Sequence, residues 1–552
     1  MIKGLEENSV CLAGGLFNTE PENKSLTEFK IAIIGCGAAC VATLYELHAE
    51  LNSELKVKLK ISIFEKNTSF GSGFAYQCDN DELLMNMVSS TTSIFANQET
   101  DFWEWMLEKG HHIGINQVIS KSGVSPDSYI SRQFFGLYLN SRLEDAILAL
   151  EKIGVEIDLI NLEVIEIGML GSNDLYVRTI QQDLRRFNCV ILCIGNIPPN
   201  DAFNLSGKSH YINNPYPIDR YARLINKDES VGIIGGQLTA GDIAVVLATQ
   251  GHQGQINFFT RELNFPLLRC RINQCDLTYL NAENLQVLIK NNKEGISIRQ
   301  ILRLARKDFA STGIRWNKFF KSSNISYAAW IQQLLEQGSS FSHWQSLAIK
   351  TDDVIGDYWH ALKGCEKDLF MQKYHRLWAS KRVPLPVHTA LKLHSLFRLG
   401  ILKHYPYLCK IDSPLRNQFI AFLSKTEVSD TPAQIHCDWV INASGPSRDI
   451  SNSESSLLIR NLLESGMILK DPNGGIMLDY KTARIKSSGH QGLRQFYAVG
   501  HLTSGTYYFV SSLDMVSLRA KVIAQDLARF LNVNFQNQVR INQSTQEDIY
   551  AS

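Results

Sequence analysis

The stretch FKIAIIGCGAACVATLYELHAEL, residues 29–51, begins as an apolar strand, passes through a glycine-rich turn and continues as an amphipathic helix. A second apolar strand, KLKISIF at residues 58–64, follows and leads into Glu65. A strand, a helix and a further strand form a βαβ unit, which predicts a parallel sheet covered by helices. The turn has the spacing Gly35-x-Gly37-x-x-Cys40 in the strand-to-helix context that a dinucleotide fingerprint requires.

Each position of this turn has a role in binding a dinucleotide. Gly35 allows the tight turn, Gly37 lets the backbone approach a pyrophosphate, and the helix N-terminus attracts the negative charge. Cys40 stands where Gly or Ala is usual, and its small size predicts only a local adjustment. Glu65, at the end of the second strand, is expected to bind a ribose hydroxyl. The sequence therefore predicts a nucleotide site, with an ordinary glycine turn of an α/β fold as the alternative.

The same unit recurs later in SVGIIGGQLTAGDIAVVLATQG and GQINFFTRE, and its turn begins at Gly235 and Gly236. Gln237 replaces the second fingerprint glycine, and its side chain is expected to crowd a pyrophosphate. Thr239 and the helix N-terminus could still bind phosphate, and Arg261 after the next strand could bind the 2′-phosphate of NADP. The second turn predicts an NAD(P) site, with a structural copy that no longer binds as the alternative.

Two further apolar strands end in glycine turns, CVILCIG at Gly195 and DWVINASG at Gly445. Together they fit flavoproteins with two nucleotide domains, in which such a turn carries the chain back between domains. Residues 291–380 place apolar residues three and four apart and contain five of the eight tryptophans, which predicts a helical insertion with these aromatics in its core.

Composition excludes several classes of protein. Among 552 residues, Lys+Arg is 55 and Asp+Glu is 55, so no overall basic charge is available for nucleic acid, and the tracts LRCR and RLARK are expected to coat solvated faces. No apolar run approaches the ~18 residues needed to span a bilayer. The polar N-terminus lacks a signal peptide, and the prediction is a cytoplasmic protein without a membrane partner.

Metal and disulfide chemistry are not expected either. The 11 cysteines include no C-x-x-C pair and are interpreted as reduced structural thiols. His388 and His394 are too far apart on their predicted helix to share a face as metal ligands.

Several blocks, in order along the chain, resemble those of the FAD/NAD(P)-binding family that includes the FAD-dependent urate hydroxylase and the aspartate N-monooxygenase of nitrosuccinate formation. These blocks are GSGFAY at 71–76, LLMN at 83–86, SYISRQFFGLYL at 128–139, GGQLTAGD at 235–242, SKRVPLP at 380–386 and YAVGHLTSGTYY at 497–508. Cys40 and Gln237 depart from the family pattern, and Gln237 puts the pyridine-nucleotide site in doubt.

The resemblance implies an α/β architecture with two Rossmann-like dinucleotide-binding domains, for FAD and NAD(P), and a helical insertion. The implied organisation is a flexible leader at 1–28, the FAD domain at 29–225 and 386–535, the NAD(P) domain at 226–385 with the insertion at about 291–380, and a flexible tail at 536–552.

The family also implies roles for individual residues. Gly35, Gly37 and Glu65 would bind the ADP part of FAD. Asn86 and Arg132 would lie near the flavin, and Gly500 and Gly505 would line it from the C-terminal block. For Asn86, Arg132, Gly500 and Gly505, ordinary turn or packing roles remain the alternative.

The implied activity is monooxygenation: NAD(P)H reduces FAD, O₂ forms a flavin C4a-hydroperoxide, and oxygen passes to a small nitrogen-containing molecule. No side chain is assigned as a catalytic acid or base, and His501 is interpreted as a structural histidine in preference to a proton-transfer group. Two alternatives stay open. One is a flavin oxidoreductase or oxidase with a degenerate NAD(P) site, and the other is a non-catalytic flavin-binding sensor or scaffold.

Overall fold

The protein is described by a computed structural model that covers residues 28–51, 57–109, 124–171, 174–316, 325–415, 417–424, 433–452, 454–488 and 495–550, with side chains as far as residue 533. The predicted leader, apart from Glu28, lies outside the described residues. No helix in the described part of the chain is long and apolar enough to cross a membrane.

The described residues contain sixteen strands. They are β1 (Glu28–Ile34), β2 (Lys58–Phe64), β3 (Glu156–Ile160), β4 (Val164–Leu170), β5 (Asp174–Thr179), β6 (Leu184–Phe187), β7 (Cys189–Leu192), β8 (Tyr211–Ile212), β9 (Val231–Ile234), β10 (Ile256–Thr260), β11 (Leu402–Pro406), β12 (Leu408–Leu415), β13 (Gln418–Leu423), β14 (Gln434–Cys437), β15 (Trp439–Asn442) and β16 (Phe496–Ala498).

Helices connect and cover these strands. They are α1 (Ala38–Glu50), α2 (Asp101–Lys109), α3 (Arg132–Lys152), α4 (Asp219–Ala222), α5 (Leu238–Thr249), α6 (Ala282–Asn291), α7 (Ile298–Ala310), α8 (Tyr327–Gln337), α9 (Ser342–Lys350), α10 (Asp352–Ala361), α11 (Gly364–Lys373), α12 (His375–Arg382), α13 (Val387–Arg398), α14 (Leu457–Glu464), α15 (Ser504–Tyr507) and α16 (Leu513–Tyr550).

The first five-stranded sheet has the order β16-β7-β1-β2-β3, and each of its strand pairs is parallel. The whole of β7 and most of β1 and β2 are buried, as expected for central strands covered on both faces. Helix α1 packs against α3 and against the long C-terminal α16. The sequence predicts a flexible tail at 536–552, but the last helix, α16, continues to Tyr550 through most of these residues.

The second five-stranded sheet has the order β11-β10-β9-β15-β8 and is also parallel. Each parallel sheet is accompanied by a three-stranded antiparallel sheet, β4-β5-β6 before β7 and β12-β13-β14 before β15. The chain therefore contains the same arrangement twice: a βαβ unit, an antiparallel meander, and a strand that returns beside the first strand. This confirms the predicted α/β fold with two Rossmann-like domains.

The strand pairing corrects the predicted domain boundaries. The sequence assigns residues 386–535 to the first domain, but β11 pairs with β10 and β15 pairs with β9, so residues 402–442 belong to the second sheet. At the other end, β8 pairs with β15, and residues 211–212 also leave the first domain. The first domain resumes after the turn that follows β15.

The predicted helical insertion lies between β10 and β11 as helices α6 to α12, before α13 crosses back to the sheet. Trp344 and Trp359 are buried in the core that also contains Ile233 and Phe258 of the second sheet. The insertion also contacts the first domain, because the Trp359 indole N–H donates to the Gly505 carbonyl oxygen at 2.7 Å. The tryptophans of residues 291–380 thus include core residues, as the sequence predicts, and one of them joins the two domains.

Candidate functional site

The first glycine turn lies at the carboxyl end of the first sheet. The Gly35 N–H donates to the Phe64 carbonyl at 2.7 Å, which ties the turn to the end of β2. Gly35 has φ +93°, and a Cβ there would lie 2.6 Å from the Cys193 carbonyl oxygen after β7. Only glycine combines this backbone angle with so close an approach.

Glu65 closes the turn from the second strand. Its side chain is only 7% exposed and accepts hydrogen bonds from the Cys36 backbone N–H at 2.8 Å and from the Asn67 backbone and side-chain nitrogens, both at 2.9 Å. The carboxylate therefore lies at the fingerprint turn, as the sequence predicts. Its contacts fix the turn, and Oε2, which accepts only the Cys36 bond among the described residues, keeps acceptor capacity for a ribose hydroxyl.

Gly37 meets the GSGFAY block across the turn. Gly71 donates its N–H to the Cys36 carbonyl at 2.9 Å, and the Gly73 Cα would lie 3.3 Å from a Cβ on Gly37. Cys40 is fully buried near Cys36 and Cys193, and the hydrogen bond from Cys36 together with burial holds the pKa of its thiol well above the usual range. Cys40 is thus an inert packing thiol at the third fingerprint position.

The second turn repeats this frame at the carboxyl end of the second sheet. The Gly235 N–H donates to the Phe259 carbonyl at 2.8 Å, and a Cβ on Gly235 would lie 2.6 Å from the Ala443 carbonyl oxygen. Gly236 is buried beneath Tyr327, whose hydroxyl donates to its carbonyl oxygen at 2.8 Å. The insertion therefore contacts the second turn directly.

Gln237 occupies the position of the second fingerprint glycine. Its side-chain amide donates to the Asn264 carbonyl oxygen at 2.7 Å, so the side chain is held against the segment that follows β10. Arg261 is exposed in the same segment. Partial burial of its guanidinium lowers the pKa of Arg261, and so does the positive charge of Arg376, which pairs with Glu262 at 2.9 Å. Two guanidinium groups therefore stand near the second turn, where a phosphate would need a cation.

The helices that start at the two turns lack side-chain caps. Gly37 and Gln237 are the N-cap residues of α1 and α5, and among the described residues neither helix start has a side-chain cap hydrogen bond. By contrast, Asn281, Ser326 and Ser456 cap α6, α8 and α14. Uncapped N–H groups at a helix start are available to phosphate oxygens.

Arg132 joins the two domains. Its guanidinium donates to Asp242 Oδ2 of α5 at 2.8 Å, to the Tyr216 hydroxyl at 3.1 Å and to the Leu84 carbonyl at 3.1 Å. Burial raises the pKa of Asp242, and Arg132 opposes that rise. Asn86 follows the isolated bridge between Leu84 and Ser131 that holds this segment against the start of α3. Burial raises the pKa of Tyr216, and a side-chain hydrogen bond with Thr239, in the first turn of α5, opposes that rise.

The C-terminal block follows β16 at the carboxyl edge of the first sheet. A Cβ on Gly500 would meet no described atom within 4 Å, and the same is true of Gly195 after β7, so both turns border open space. Gly505 is packed instead, because a Cβ there would lie 2.2 Å from the Gly474 carbonyl oxygen. His501 Nε2 lies 2.7 Å from the Ser447 carbonyl oxygen, and burial lowers its pKa. These contacts agree with the interpretation of His501 as a structural histidine.

Tyr508 is the strained residue of this block. It has φ 67° and ψ −65°, and the Phe509 N–H donates to the Tyr507 carbonyl at 2.9 Å, which is a three-residue γ-turn of the rare type. Arg448 supports the turn by donating to the Ser504 carbonyl at 2.7 Å and to the Tyr508 carbonyl at 3.3 Å. Strain of this kind persists where the surroundings over-determine it, and it concentrates at functional sites.

The structure thus divides the predicted site residues into groups. Gly35, Gly37, Cys40, Glu65 and Gly195 converge on the first turn, and Gly235, Gly236, Thr239 and Arg261 surround the second. Gly500 and Gly505 lie in the block that follows β16, while Asn86 and Arg132 lie where the two domains meet.

One sequence interpretation is wrong. The tract LRCR, residues 268–271, is expected to coat a solvated face, but Arg269 is 8% exposed. Its backbone N–H donates to the Leu385 carbonyl at 2.8 Å, which draws the segment under the SKRVPLP block. Arg271, two residues on, is exposed as expected. An apolar run, FPLL, immediately precedes Arg269 and is the one sequence feature that indicates burial.

No group of three or more His, Cys, Asp or Glu side chains in the described parts of the chain could hold a metal ion.

Residues 32–197 match a protein family described as FAD-NAD(P)-binding. The match runs from β1 to the turn after β7, and it confirms the dinucleotide-binding domain predicted from the first turn. No curated protein sequence matches the chain significantly.

Solved structures share the fold over most of the chain. An ornithine N-hydroxylase from Kutzneria sp. 744, solved with reduced FAD, NADP+ and L-ornithine, aligns with a TM-score of 0.53 at 14% identity over 90% of this chain and 98% of that one. An L-lysine 6-monooxygenase from Pseudomonas syringae aligns with a TM-score of 0.56 at 13% identity over 90% and 99%. An FAD-bound cadaverine monooxygenase from Erwinia amylovora aligns with a TM-score of 0.54 at 13% identity over 90% and 93%.

Proposed function

We propose that this chain is an FAD-dependent, NAD(P)H-using monooxygenase that hydroxylates a small nitrogen-containing molecule. The observation that carries the proposal is the presence of two fingerprint turns with the same backbone frame in one chain, each at the carboxyl end of its own parallel sheet. A flavoprotein that takes hydride from a pyridine nucleotide needs two such sites. The three enzymes with the shared fold, which hydroxylate amines, support the assignment of the reaction.

The first site fits FAD on its own geometry. The uncapped N-terminus of α1 offers N–H groups to a pyrophosphate, and Gly37 leaves its approach free of a side chain. Glu65 stands at the end of β2, where a carboxylate binds a ribose hydroxyl. Gly195 and Gly500 border open space at the same edge of the sheet, which leaves room for the flavin. Bound FAD would accept hydride and supply the oxygen chemistry.

The second site fits a pyridine nucleotide, and a side chain stands at its second fingerprint position. The start of α5 is uncapped, and Arg261 and Arg376 supply positive charge that suits the 2′-phosphate of NADP. Gln237 has a side chain where the fingerprint has glycine. Its amide donates to the Asn264 carbonyl oxygen, and it makes no side-chain cap hydrogen bond at the start of α5. The preference for NADPH over NADH is part of the proposal and rests on these two arginines.

The protein's own contribution is to hold the two sites together and to exclude water. The ion pair between Arg132 and Asp242 links the start of α3 to α5. From the other side, the insertion covers the C-terminal block through the bond from Trp359 to Gly505. Contacts of this kind would help to keep water from bound flavin. His501 is not assigned a proton-transfer role, since its Nε2 proton is committed to a carbonyl.

Gln237 favours a second candidate, a flavin oxidoreductase or oxidase that does not use NAD(P)H. A non-catalytic flavin-binding sensor is the third possibility, with the insertion as its contact surface. The finer resemblance to urate hydroxylase and to aspartate N-monooxygenase stays a prediction about the substrate.

Anaerobic addition of NADPH to the FAD-loaded protein tests the proposal. We expect the flavin absorbance band to bleach, and oxygen uptake with a panel of amino acids, amines and purines then identifies the substrate class. Bound FAD that NADPH does not bleach would contradict the proposal and favour the oxidase or sensor. If the protein consumes NADPH but hydroxylates none of the nitrogenous compounds, it is an oxidoreductase and the monooxygenase assignment is wrong.

A further inference from the structure

A short segment of the first domain reaches into the second domain. Asp79 accepts hydrogen bonds from the backbone N–H groups of Ile218 at 2.8 Å and Asp219 at 3.0 Å. Leu83 is 2% exposed and is buried in the hydrophobic core of the second domain, which also contains Ile218. Two residues later, Met85 is buried in the core of the first domain. This segment therefore joins the two cores.

Arg132, at the start of α3, fastens the same segment to the second domain. Its backbone N–H donates to the Leu83 carbonyl at 2.7 Å. Its guanidinium pairs with Asp242 at 2.8 Å and donates to the Tyr216 hydroxyl at 3.1 Å. The Tyr216 hydroxyl donates in turn to Asp242 at 2.7 Å, which completes a triad of arginine, aspartate and tyrosine. We call residues 79–84 together with Arg132 the interdomain clamp.

The first domain contains a second triad of the same composition. Arg142, also in α3, pairs with Asp101 of α2 at 2.7 Å, and the Tyr138 hydroxyl donates to the same carboxylate at 2.6 Å. Both arginine side chains are 16% exposed, and each lies over the ring of its tyrosine, at 5.6 Å in the clamp and 5.5 Å here. Arg142 has one further partner, Asp145 at 2.8 Å. The two triads therefore differ mainly in that only the clamp triad joins the two domains.

The clamp holds the helix that begins at the second glycine turn. Asp242 lies in α5, about one turn after the helix starts at Leu238. The N–H groups at that start are proposed to bind the pyridine nucleotide, and the first domain is proposed to bind FAD. Reacting atoms must come within about 3–3.5 Å, and a misplacement of about 1 Å can lower a rate about 100-fold. The position of α5 relative to the first domain therefore bears directly on hydride transfer.

We propose that Arg132 is a positioning residue for flavin reduction, which fixes the nucleotide-binding end of α5 relative to the flavin through its pair with Asp242. The proposal rests on the proposed function, because it concerns the step in which NAD(P)H reduces FAD. Burial raises the pKa of Asp242 and Arg132 opposes that rise, so loss of the guanidinium leaves a buried carboxylate without its charge partner. An ion pair that only stabilises the fold affects the Tm, whereas a positioning residue also affects the reduction rate at unchanged nucleotide affinity.

The experiment is anaerobic stopped-flow reduction of the FAD-loaded, full-length protein at varied NADPH concentration, which gives a limiting rate constant and an apparent Kd. In Arg132→Gln we expect the limiting rate constant to fall at least about 10-fold and the Kd to stay within about 2-fold. Arg142→Gln is the matched control. It should lower the Tm as Arg132→Gln does, but keep the limiting rate constant within about 2-fold of the unmodified protein.

A milder pair of variants serves if either arginine variant fails to fold. Tyr216→Phe and Tyr138→Phe each remove one hydroxyl from a triad and keep both ion pairs. Since one hydrogen bond is lost in each, we expect Tyr216→Phe to lower the limiting rate constant about 3-fold. Tyr138→Phe should leave it unchanged.

Hydrogen exchange tests the clamp without a nucleotide. The N–H groups of Ile218 and Asp219 are held by Asp79 across the domain interface, so their exchange reports on local opening there. We expect faster exchange of these two amides in the variants of the clamp triad. The matched variants of the second triad should leave their exchange unchanged.

Several results would overturn the assignment. One is an equal limiting rate constant in the two matched variants, whether both are slow or both are unchanged. Another is a raised Kd at an unchanged limiting rate constant, which would place Arg132 in nucleotide binding. If NADPH does not bleach the unmodified protein, the proposed function fails, and the positioning role in flavin reduction fails with it. Equal hydrogen exchange in the matched variants would then show that Arg132 does not hold the domains together either.

Discussion

The two fingerprint turns have nearly the same backbone but different side chains. Gly37 has φ −114° and ψ −162°, and Gln237 has φ −103° and ψ −159°. These are extended angles that any residue adopts, so the backbone at this position does not require glycine. Gly35 and Gly235, with φ +93° and +127°, do require it. The comparison shows that the sheet fixes the frame of the turn, and the second fingerprint position decides only how close a ligand can come.

The surroundings of the two turns differ in charge and in cover. The first turn is closed by the buried carboxylate of Glu65 and by the backbone of Gly73. The second is closed by the Gln237 amide on Asn264. Thr260 occupies the place that corresponds to Glu65, and the exposed cation Arg261 follows it directly. An acid suits a ribose hydroxyl, and a guanidinium suits a phosphate. This difference in charge supports the proposal that the two turns bind different nucleotides.

We expect the largest effect from a substitution that blocks the first turn. In Gly37→Val, the added side chain meets the Gly73 backbone and the path of the pyrophosphate, and we expect the FAD content to fall by at least about 10-fold. Flavin absorbance per protein in the purified sample measures it. Gly364→Val is the matched control, because a Cβ at Gly364 meets no described atom within 4 Å and that glycine lies outside both turns. A Gly37→Val protein that stays fully yellow would remove the first turn from the FAD site.

We expect an intermediate effect from a substitution that tests which nucleotide the second turn binds. Arg261→Gln removes the proposed phosphate cation, and we expect the Kd for NADPH to rise about 10-fold while that for NADH is unchanged, since a charge-assisted hydrogen bond is lost only with the phosphate. Anaerobic flavin reduction at varied nucleotide concentration gives both constants. Arg398→Gln, at the exposed end of α13, controls for the change in net charge. Equal loss with both nucleotides would mean that Arg261 acts on something other than the 2′-phosphate.

The smallest effect tests whether the side chain at the second position limits binding. Gln237→Gly makes the second turn resemble the first, and we expect the Kd for NADPH to fall about 3-fold, a modest change because glycine also loosens the start of α5. Gln250→Gly, at the other end of the same helix, serves as the control for backbone freedom. An unchanged or weaker affinity would show that the nucleotide does not pass over this position.

The sequence predicts the parts of the fold that are local. The strand, turn and helix at Gly35 and Gly235 are contiguous in the chain, and apolar periodicity identifies them directly. The glycine turns at Gly195 and Gly445 are also found correctly, because each follows a short, continuous apolar strand. The sequence also locates the acidic residue Glu65 and the basic residue Arg261, because each comes just after the end of a predicted strand.

What the sequence does not predict depends on pairing between distant residues. The place of β15 beside β9 is set by contacts across more than 200 residues, and nothing in DWVINASG indicates which of two equivalent sheets it joins. The boundary at residue 386 is wrong for that reason. Arg269 is missed because a charged residue is ordinarily exposed, and its burial depends on packing under Leu385. The partner of Arg132 is missed in the same way, since Asp242 lies in the other domain.

The order of the strands has a consequence for how the chain is synthesised. The second sheet is complete once residue 442 has been made, since β8, β9, β10, β11 and β15 all precede that point. The first sheet begins with β1 but waits for β16 at Phe496–Ala498, and α1 waits for the start of α16. On the ribosome, the domain that starts first along the chain therefore finishes last. Its exposed apolar strands must stay unaggregated while the inner domain folds, which makes the first domain the vulnerable one during translation.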